Sequence, residues 1–269
     1  WSGDYGYWRT STLTKFTVYD MDDRTAPEVE RELYMEGWYS TAREVNGSIR
    51  AVTHAWMDVP GLTSWLDLPD GYYRLDYEDP LRRQLREQAA WEAIESNREV
   101  IDGLALEDLL PQVHERTDNG IATHHMSDDE CADFSAPEEG MNRGFTSIFT
   151  LDLNTPDLEF EADHIVGNSP LVYASQDVLI VAEPSFSGWW FWGNDGADES
   201  TNLHTFDISI PGTTLYTGSG RVNGTVLDQF SLSEHEGVVR VATTTGQWGR
   251  WWMENPEPMV SHVVTLERA

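Results

Sequence analysis

The sequence has almost no lysine. Lys15 is the single lysine among 17 basic residues, which face 47 acidic ones for a net charge of −30 over 269 residues. Without a basic footprint, ordinary nucleic-acid binding is excluded. Cysteine is nearly absent too: Cys131 stands alone, so no disulfide can close within the chain and no paired-cysteine zinc pattern exists. No run of 18 apolar residues occurs, so no segment reads as a membrane span. The chain begins at Trp1 without an initiator methionine or a signal peptide, and reads as a piece of something longer. There is no phosphate loop. Gly218-Ser219-Gly220 lacks the five-residue spacing of a nucleophile elbow.

Carboxylates fill the space that lysine leaves. They are spread along the sequence rather than gathered in a tail, which suits either a set of calcium sites or a halophilic surface kept hydrated by dense charge. Loss of lysine favours the second, because calcium ligation gives no reason to avoid that residue. The composition resembles that of haloarchaeal proteins. Apolar residues at 39% and aromatics at 12% are enough for a core, and the length allows one large domain or two small ones.

Three stretches, residues 11–55, 145–185 and 201–246, share one layout. A β-rich strand ends near Asp20, Asp152 or Asp207, and a polar turn leads to a second strand. A link at Gly37, Gly167 or Gly224 precedes a third strand, a tight turn and a β-branched fourth strand. Asn46-Gly47 is a type I′ hairpin signal between the third and fourth strands. Four strands repeating every 40 to 47 residues predict the blades of a β-propeller. The expected fold is all-β: about three four-stranded blades plus one strand of a further blade, with a helical insertion. The boundaries read as 1–56 for a preceding linker and blade one, 57–142 for the insertion, 143–187 for blade two, 188–258 for Trp-rich linkers and blade three, and 259–269 for the extra strand.

On these residues, above all "YTGSGRVNGTVLDQFSLSEHEGVVRVATTTG", "FTSIFTLDL" and "VYDMDDRTAPEV", the chain resembles the secreted β-propeller domain proteins of archaea and bacteria, distant relatives of WD40 repeats. It is similar to an internal segment of that family. The resemblance implies the fold and an extracellular or cell-surface location. It carries no catalytic residues.

Within the insertion, residues 79–103 predict a helix capped by Asp79-Pro80 and stopped at Gly103. Leu81, Leu85, Ala89 and Ala93, with Ile94 and Ile101 alongside, are read as one apolar stripe. A second, shorter helix is expected over residues 105–110. "THHMSDDEC" supplies His124, His125, Asp128, Asp129 and Cys131 as metal-ligand types, and the loop after Gly193 supplies Asp195, Asp198 and Glu199 as oxygen ligands suited to calcium. Neither spacing matches an established metal motif, and polar loops in an acidic protein explain both. Asn46 and Asn223 open N-glycosylation sequons.

Tryptophan clusters in the segments that follow each fourth strand: Trp56 and Trp65, then Trp189, Trp190 and Trp192, then Trp248, Trp251 and Trp252. Read as inter-blade linkers, these segments cross one face of the propeller. Some rings pack on one another, and four aromatics in a row at residues 189–192 leave part of that stretch exposed. The expected function is a non-catalytic extracellular binding or scaffold module that contacts a glycan, polymer or protein through this face. The alternative is a propeller enzyme or metal-dependent hydrolase completed by other blades. Expected partners are the remaining blades of the same parent protein or another copy of the chain.

Overall fold

The computed structural model describes residues 12–56, 59, 61–63, 65–105, 108–124, 134–137, 144–155, 158–167, 170–185, 199–246 and 258–267. Two compact units emerge. Residues 58–110 belong to one, and residues 10–57 with 111–269 to the other.

The larger unit is built from antiparallel strands. In chain order they are β1 (Leu13–Asp20), β2 (Glu28–Glu36), β3 (Trp38–Val45), β4 (Ser48–Ala55), β5 (Val113–Thr117), β6 (Gly120–His124), β7 (Phe134–Ser135), β8 (Phe145–Asp152), β9 (Phe160–Val166), β10 (Leu171–Ala174), β11 (Val178–Ser185), β12 (Ser200–Asp207), β13 (Leu215–Asn223), β14 (Leu232–His235), β15 (Val238–Thr245) and β16 (Val260–Glu267). They form four sheets, in the orders β1-β2-β5-β6, β3-β4-β8-β9-β7, β10-β11-β12-β13 and β14-β15-β16.

Strand content agrees with the repeat, but the sheets are cut out of phase with it. Third and fourth strands of one repeat join the first and second strands of the next. Thus β4 pairs along its whole length with β8, β11 with β12, and β15 with β16. The tryptophan-bearing segments are therefore hairpin connections inside a sheet, not links between blades. The links between sheets are the short ones at Gly37, Gly167 and Gly224. Geometry explains this: a single residue, Gly37, separates β2 from β3, whereas a hairpin needs a loop of at least two. The chain must leave the sheet there. Residues 11–55, read as one blade, are divided between the first and second sheets.

The sheets stack face to face, and alternation along the strands feeds three cores. Leu33, Met35, Ala51, Phe149 and Leu151 fill the space between the first and second sheets. Val52, Ile148, Ile165, Leu179, Val181 and Phe206 join the second to the third. Ile180, Leu203, Val222, Leu232 and Val241 join the third to the fourth. Neighbours Ala51 and Val52, like Leu179 and Ile180, serve opposite cores, as the two-residue period of a strand requires. The second and third sheets are buried on both faces, and sheets that stack in this way, each adding to the last, are consecutive blades of a β-propeller.

Residues 57–142 are less helical than expected. Their second half forms β5 and β6, which extend the first sheet beyond β2, and β7, which pairs in parallel with β9. These strands cover edges that would otherwise be open to pairing. In the smaller unit, α1 (Pro80–Asp102) begins where predicted, with the Asp79 side chain accepting from Leu81 N. Its apolar residues do not make one stripe. Leu85, Ala89 and Ala93 face inward, while Trp91, Ile94 and Ile101 are exposed on the other side. Of the expected helix over 105–110, the described part is a single turn in which Asp108 N donates to Ala105 O.

Candidate functional site at the linker end of the sheets

Strand direction gives every sheet two ends. The tight turns at Asn46-Gly47, Gln176-Asp177 and Glu236-Gly237 lie at one. The linking glycines and the connections after β4, β11 and β15 leave from the other, the linker end.

One small device recurs at the linker end. A threonine on each first strand donates its hydroxyl to the carbonyl of the linking glycine: Thr14 to Gly37 at 2.8 Å, Thr146 to Gly167 at 3.3 Å and Thr201 to Gly224 at 2.8 Å. The same glycines donate their N–H to the carbonyls of Thr12, Gly144 and Glu199. Each turn out of a sheet is thus satisfied by the strand beside it, as a buried backbone needs.

The next sheet presses a side chain against each link. By strand register, Thr53, Glu183 and Thr243 are equivalent: each precedes the residue that faces Thr146, Thr201 or Ser261. Thr53 donates to Glu36 O at 3.0 Å, and Thr243 lies against Gly224. Glu183 puts a carboxylate in this place. It is 2% exposed and accepts from Thr146 Oγ1 at 3.0 Å, and its carboxyl fills the position a Cβ on Gly167 would need. Burial raises its pKa, and the Thr146 hydroxyl offsets part of that shift.

Exposed aromatics gather at this end of the second sheet. Trp38 opens β3 beside Gly37 at 41% exposure, Tyr39 follows at 54%, and Trp56 leaves β4 at 61%. The Trp38 ring lies 6.0 Å from that of its cross-strand neighbour His54, whose pKa burial lowers. Trp38 and Tyr39 were not among the residues singled out from the sequence. Their place directly after a linking glycine was the available signal.

Elsewhere the buried polar groups hold the sheets together. Ser147 Oγ and His164 Nδ1 are 2.8 Å apart, the pairing of a nucleophile with a base. Both are buried, and the Phe134 ring stacks on the imidazole at 4.7 Å. Desolvation lowers the pKa of His164 to about 3, and that of His204, beside Tyr216, to about 4. Both rings are closed off from solvent, at 2% and 0% exposure. At the turn end, Arg50 is 1% exposed and donates through Nη2 to Ile210 O and Thr213 O, both at 2.8 Å, fastening the second sheet to the third. Burial opposes its charge, and the carboxylates of Glu161 and Asp152 support it.

The candidate metal ligands are not brought together among the described residues. His124 Nε2 meets Glu115 Oε2 at 2.8 Å, and Arg31, hydrogen-bonded to the same carboxylate, holds the Glu115 pKa low. Glu199 Oε2 accepts from Gly246 N at 2.6 Å, tying together the bases of two long connections. No group of three or more His, Cys, Asp or Glu side chains that could hold a metal occurs among the described residues. His125, Asp128, Asp129, Cys131, Asp195, Asp198, Trp189, Trp190, Trp192, Trp248, Trp251 and Trp252 lie outside them. Asn46 and Asn223 are both exposed. Asn46 sits in the left-handed conformation of the predicted turn, with its carbonyl accepting from Asn154 Nδ2 at 3.0 Å.

A family model described as a beta propeller domain matches residues 2–268. The chain belongs to the beta-propeller family. The comparisons found no match among curated proteins and none among solved structures. The match supports the propeller reading of the four stacked sheets. Among the described residues, no helix is long and apolar enough to cross a membrane.

Proposed function

We propose that this propeller segment is a non-catalytic binding or scaffold module, extracellular or at the cell surface, that contacts a glycan, polymer or protein through the linker end of its sheets. One observation carries the reading. Trp38, Tyr39 and Trp56 are exposed at the same strand ends from which residues 186–199 and 247–259 depart. The segments that carry Trp189, Trp190, Trp192, Trp248, Trp251 and Trp252 in the sequence start from those strand ends, and these six tryptophans lie outside the described residues. Exposed aromatics such as Trp38, Tyr39 and Trp56 suit stacking on sugar rings or anchoring a protein partner. The acidic, lysine-poor surface favours a strong-brine environment, and the sequons at Asn46 and Asn223 suit an exported protein.

The sheet edges at β1 and β16 supply the second half of the proposal. In the second and third sheets, a first strand pairs on both sides, as β8 does with β4 and β9. In the fourth sheet β16 holds the same position and pairs with β15 alone among the described strands. Its partner there is a strand from other blades of the same parent protein or from another copy.

The test is retention of the chain on immobilised cell-envelope glycan and protein fractions. Trp38→Ala with Trp56→Ala, and separately Trp190→Ala with Trp192→Ala, are expected to weaken retention while the melting temperature holds. Retention equal to the parent chain would remove the binding reading. Loss of folded protein in both pairs would assign the rings to the core.

A further inference from the structure

The helix of the smaller unit presents an unused face. Gln84, Glu87, Trp91, Ile94, Arg98 and Ile101 follow one another at spacings of three and four, and all six are exposed. That is the a/d seam of a coiled coil. The opposite face is already occupied. Arg82 lies over the Tyr72 and Tyr77 rings, Asn97 exchanges hydrogen bonds with both backbone groups of Thr63, and Val100 touches Gly61. Trp91 at 63%, Ile94 at 41% and Ile101 at 56% exposure put three apolar side chains on the seam, with no partner for them among the described residues.

We infer that this face of α1 pairs antiparallel with α1 of a second copy of the chain. The seam is complementary to itself in that direction. A two-fold axis between Glu92 and Ala93 sets Trp91 against the partner's Ile94, Glu87 against the partner's Arg98, and Gln84 against the partner's Ile101. In an antiparallel pair the a positions face the d positions, which gives those three pairings and their symmetry mates. A two-fold interface requires such self-complementarity. Charge favours the same place. Two chains of net charge −30 repel each other, but α1 carries four of the 16 arginines against five carboxylates, so the repulsion across this face is far weaker than the net charge implies. A parallel pair would set Glu87 against Glu87 and Arg98 against Arg98.

The test is sedimentation of the whole chain over a concentration series, at the lowest salt that keeps it folded. The parent chain is expected to self-associate. Glu87→Arg alone and Arg98→Glu alone each place like charges in both symmetry-related pairs, and each is expected to weaken the dimer by about tenfold. The double variant carrying both changes recovers the parent affinity, and an equimolar mixture of the two single variants forms a heterodimer. Trp91→Ala weakens association further, by about a hundredfold, because it removes the central ring twice. All are surface changes, and unchanged circular dichroism confirms the fold. A chain that stays monomeric at every concentration, or a dimer indifferent to the charge swap and to Trp91→Ala, overturns the inference.

Discussion

The three linking glycines are needed for different reasons, and the difference can be measured. Gly37 and Gly224 have φ of 103° and 89°, so any side chain strains the backbone there. Gly167 is not in that region; its constraint is the Glu183 carboxyl, whose atoms are the three nearest to a Cβ built on it. An exposed glutamate would swing aside at little cost. Glu183 is buried, and moving it breaks its bond from Thr146. Gly167→Ala should therefore cost about 1–3 kcal/mol by overpacking, a drop of roughly 3–8 °C in melting temperature for a chain of this size. Glu183→Thr restores the residue found at the equivalent positions 53 and 243 and removes the clash. In the double variant the alanine should cost little, a coupling of about 1–2 kcal/mol. Gly37→Ala serves as the control, since its Cβ meets the His54 backbone carbonyl and no side-chain change relieves it. The assay is thermal unfolding at pH 7 of the two single variants and the pair. Additive losses would refute the claim that Glu183 is what makes Gly167 necessary. The pH dependence adds a check. With its folded pKa raised, Glu183 weakens stability as pH rises above its ordinary value of 4.5. The advantage of Glu183→Thr should be present at pH 7 and vanish in acid.

Three further outcomes follow from the same geometry. Arg50→Met should destabilise by about 3–5 kcal/mol in urea unfolding, because the carbonyls of Ile210 and Thr213 and the nearby carboxylates lose their buried partner; a change under about 1 kcal/mol would show the guanidinium to be dispensable. His164 and His204 remain neutral in the fold but protonate near pH 6.5 when unfolded, so their stability is complete above pH 6.5 and declines as pH falls toward 4 and 3. Each contributes a slope of up to about 1.4 kcal/mol per pH unit, best measured in the Glu183→Thr background, and a flat acid profile would contradict their burial. Melting temperature should rise with KCl from about 0.15 M, where the Debye length is about 8 Å, into the molar range; equal stability in dilute buffer, or a rise from millimolar calcium alone, would instead favour calcium sites.

Strand positions were legible because alternation and turn chemistry are local. Asn46-Gly47 specified its hairpin by itself. The phase of the blades was not, because a repeat fixes a length and leaves the cutting point free. The long Trp-rich segments looked like the joints between blades, and the one-residue link at Gly37 looked like part of a blade. Loop-closure entropy rises slowly with length, so a long excursion can still close a hairpin such as β4–β8, whereas a one-residue link cannot close one at all. The helix boundaries were readable from Asp79, Pro80 and Gly103, but its two faces were merged because Ile94 and Ile101 were added to the stripe of Leu85. Glu183 was missed, although a carboxylate inside the apolar run of β11 is a visible exception. Its role depends on Thr146 and Gly167, which only the stacking of sheets brings to it.

The division of each repeat between neighbouring sheets is tested most directly where the third repeat meets the start of the next. Thr244 on β15 and Ser261 on β16 face each other, with their hydroxyl oxygens 3.3 Å apart. Opposed residues in an antiparallel pair fall within the range a disulfide spans. With Cys131→Ser to remove the native thiol, Thr244→Cys combined with Ser261→Cys should oxidise to an intramolecular disulfide in nearly all molecules, seen as a monomeric shift on non-reducing electrophoresis and confirmed by peptide mapping. Cysteines that stay reduced under the same oxidation, or that link only between chains, would contradict the pairing and with it the blade boundaries on which the linker end is defined.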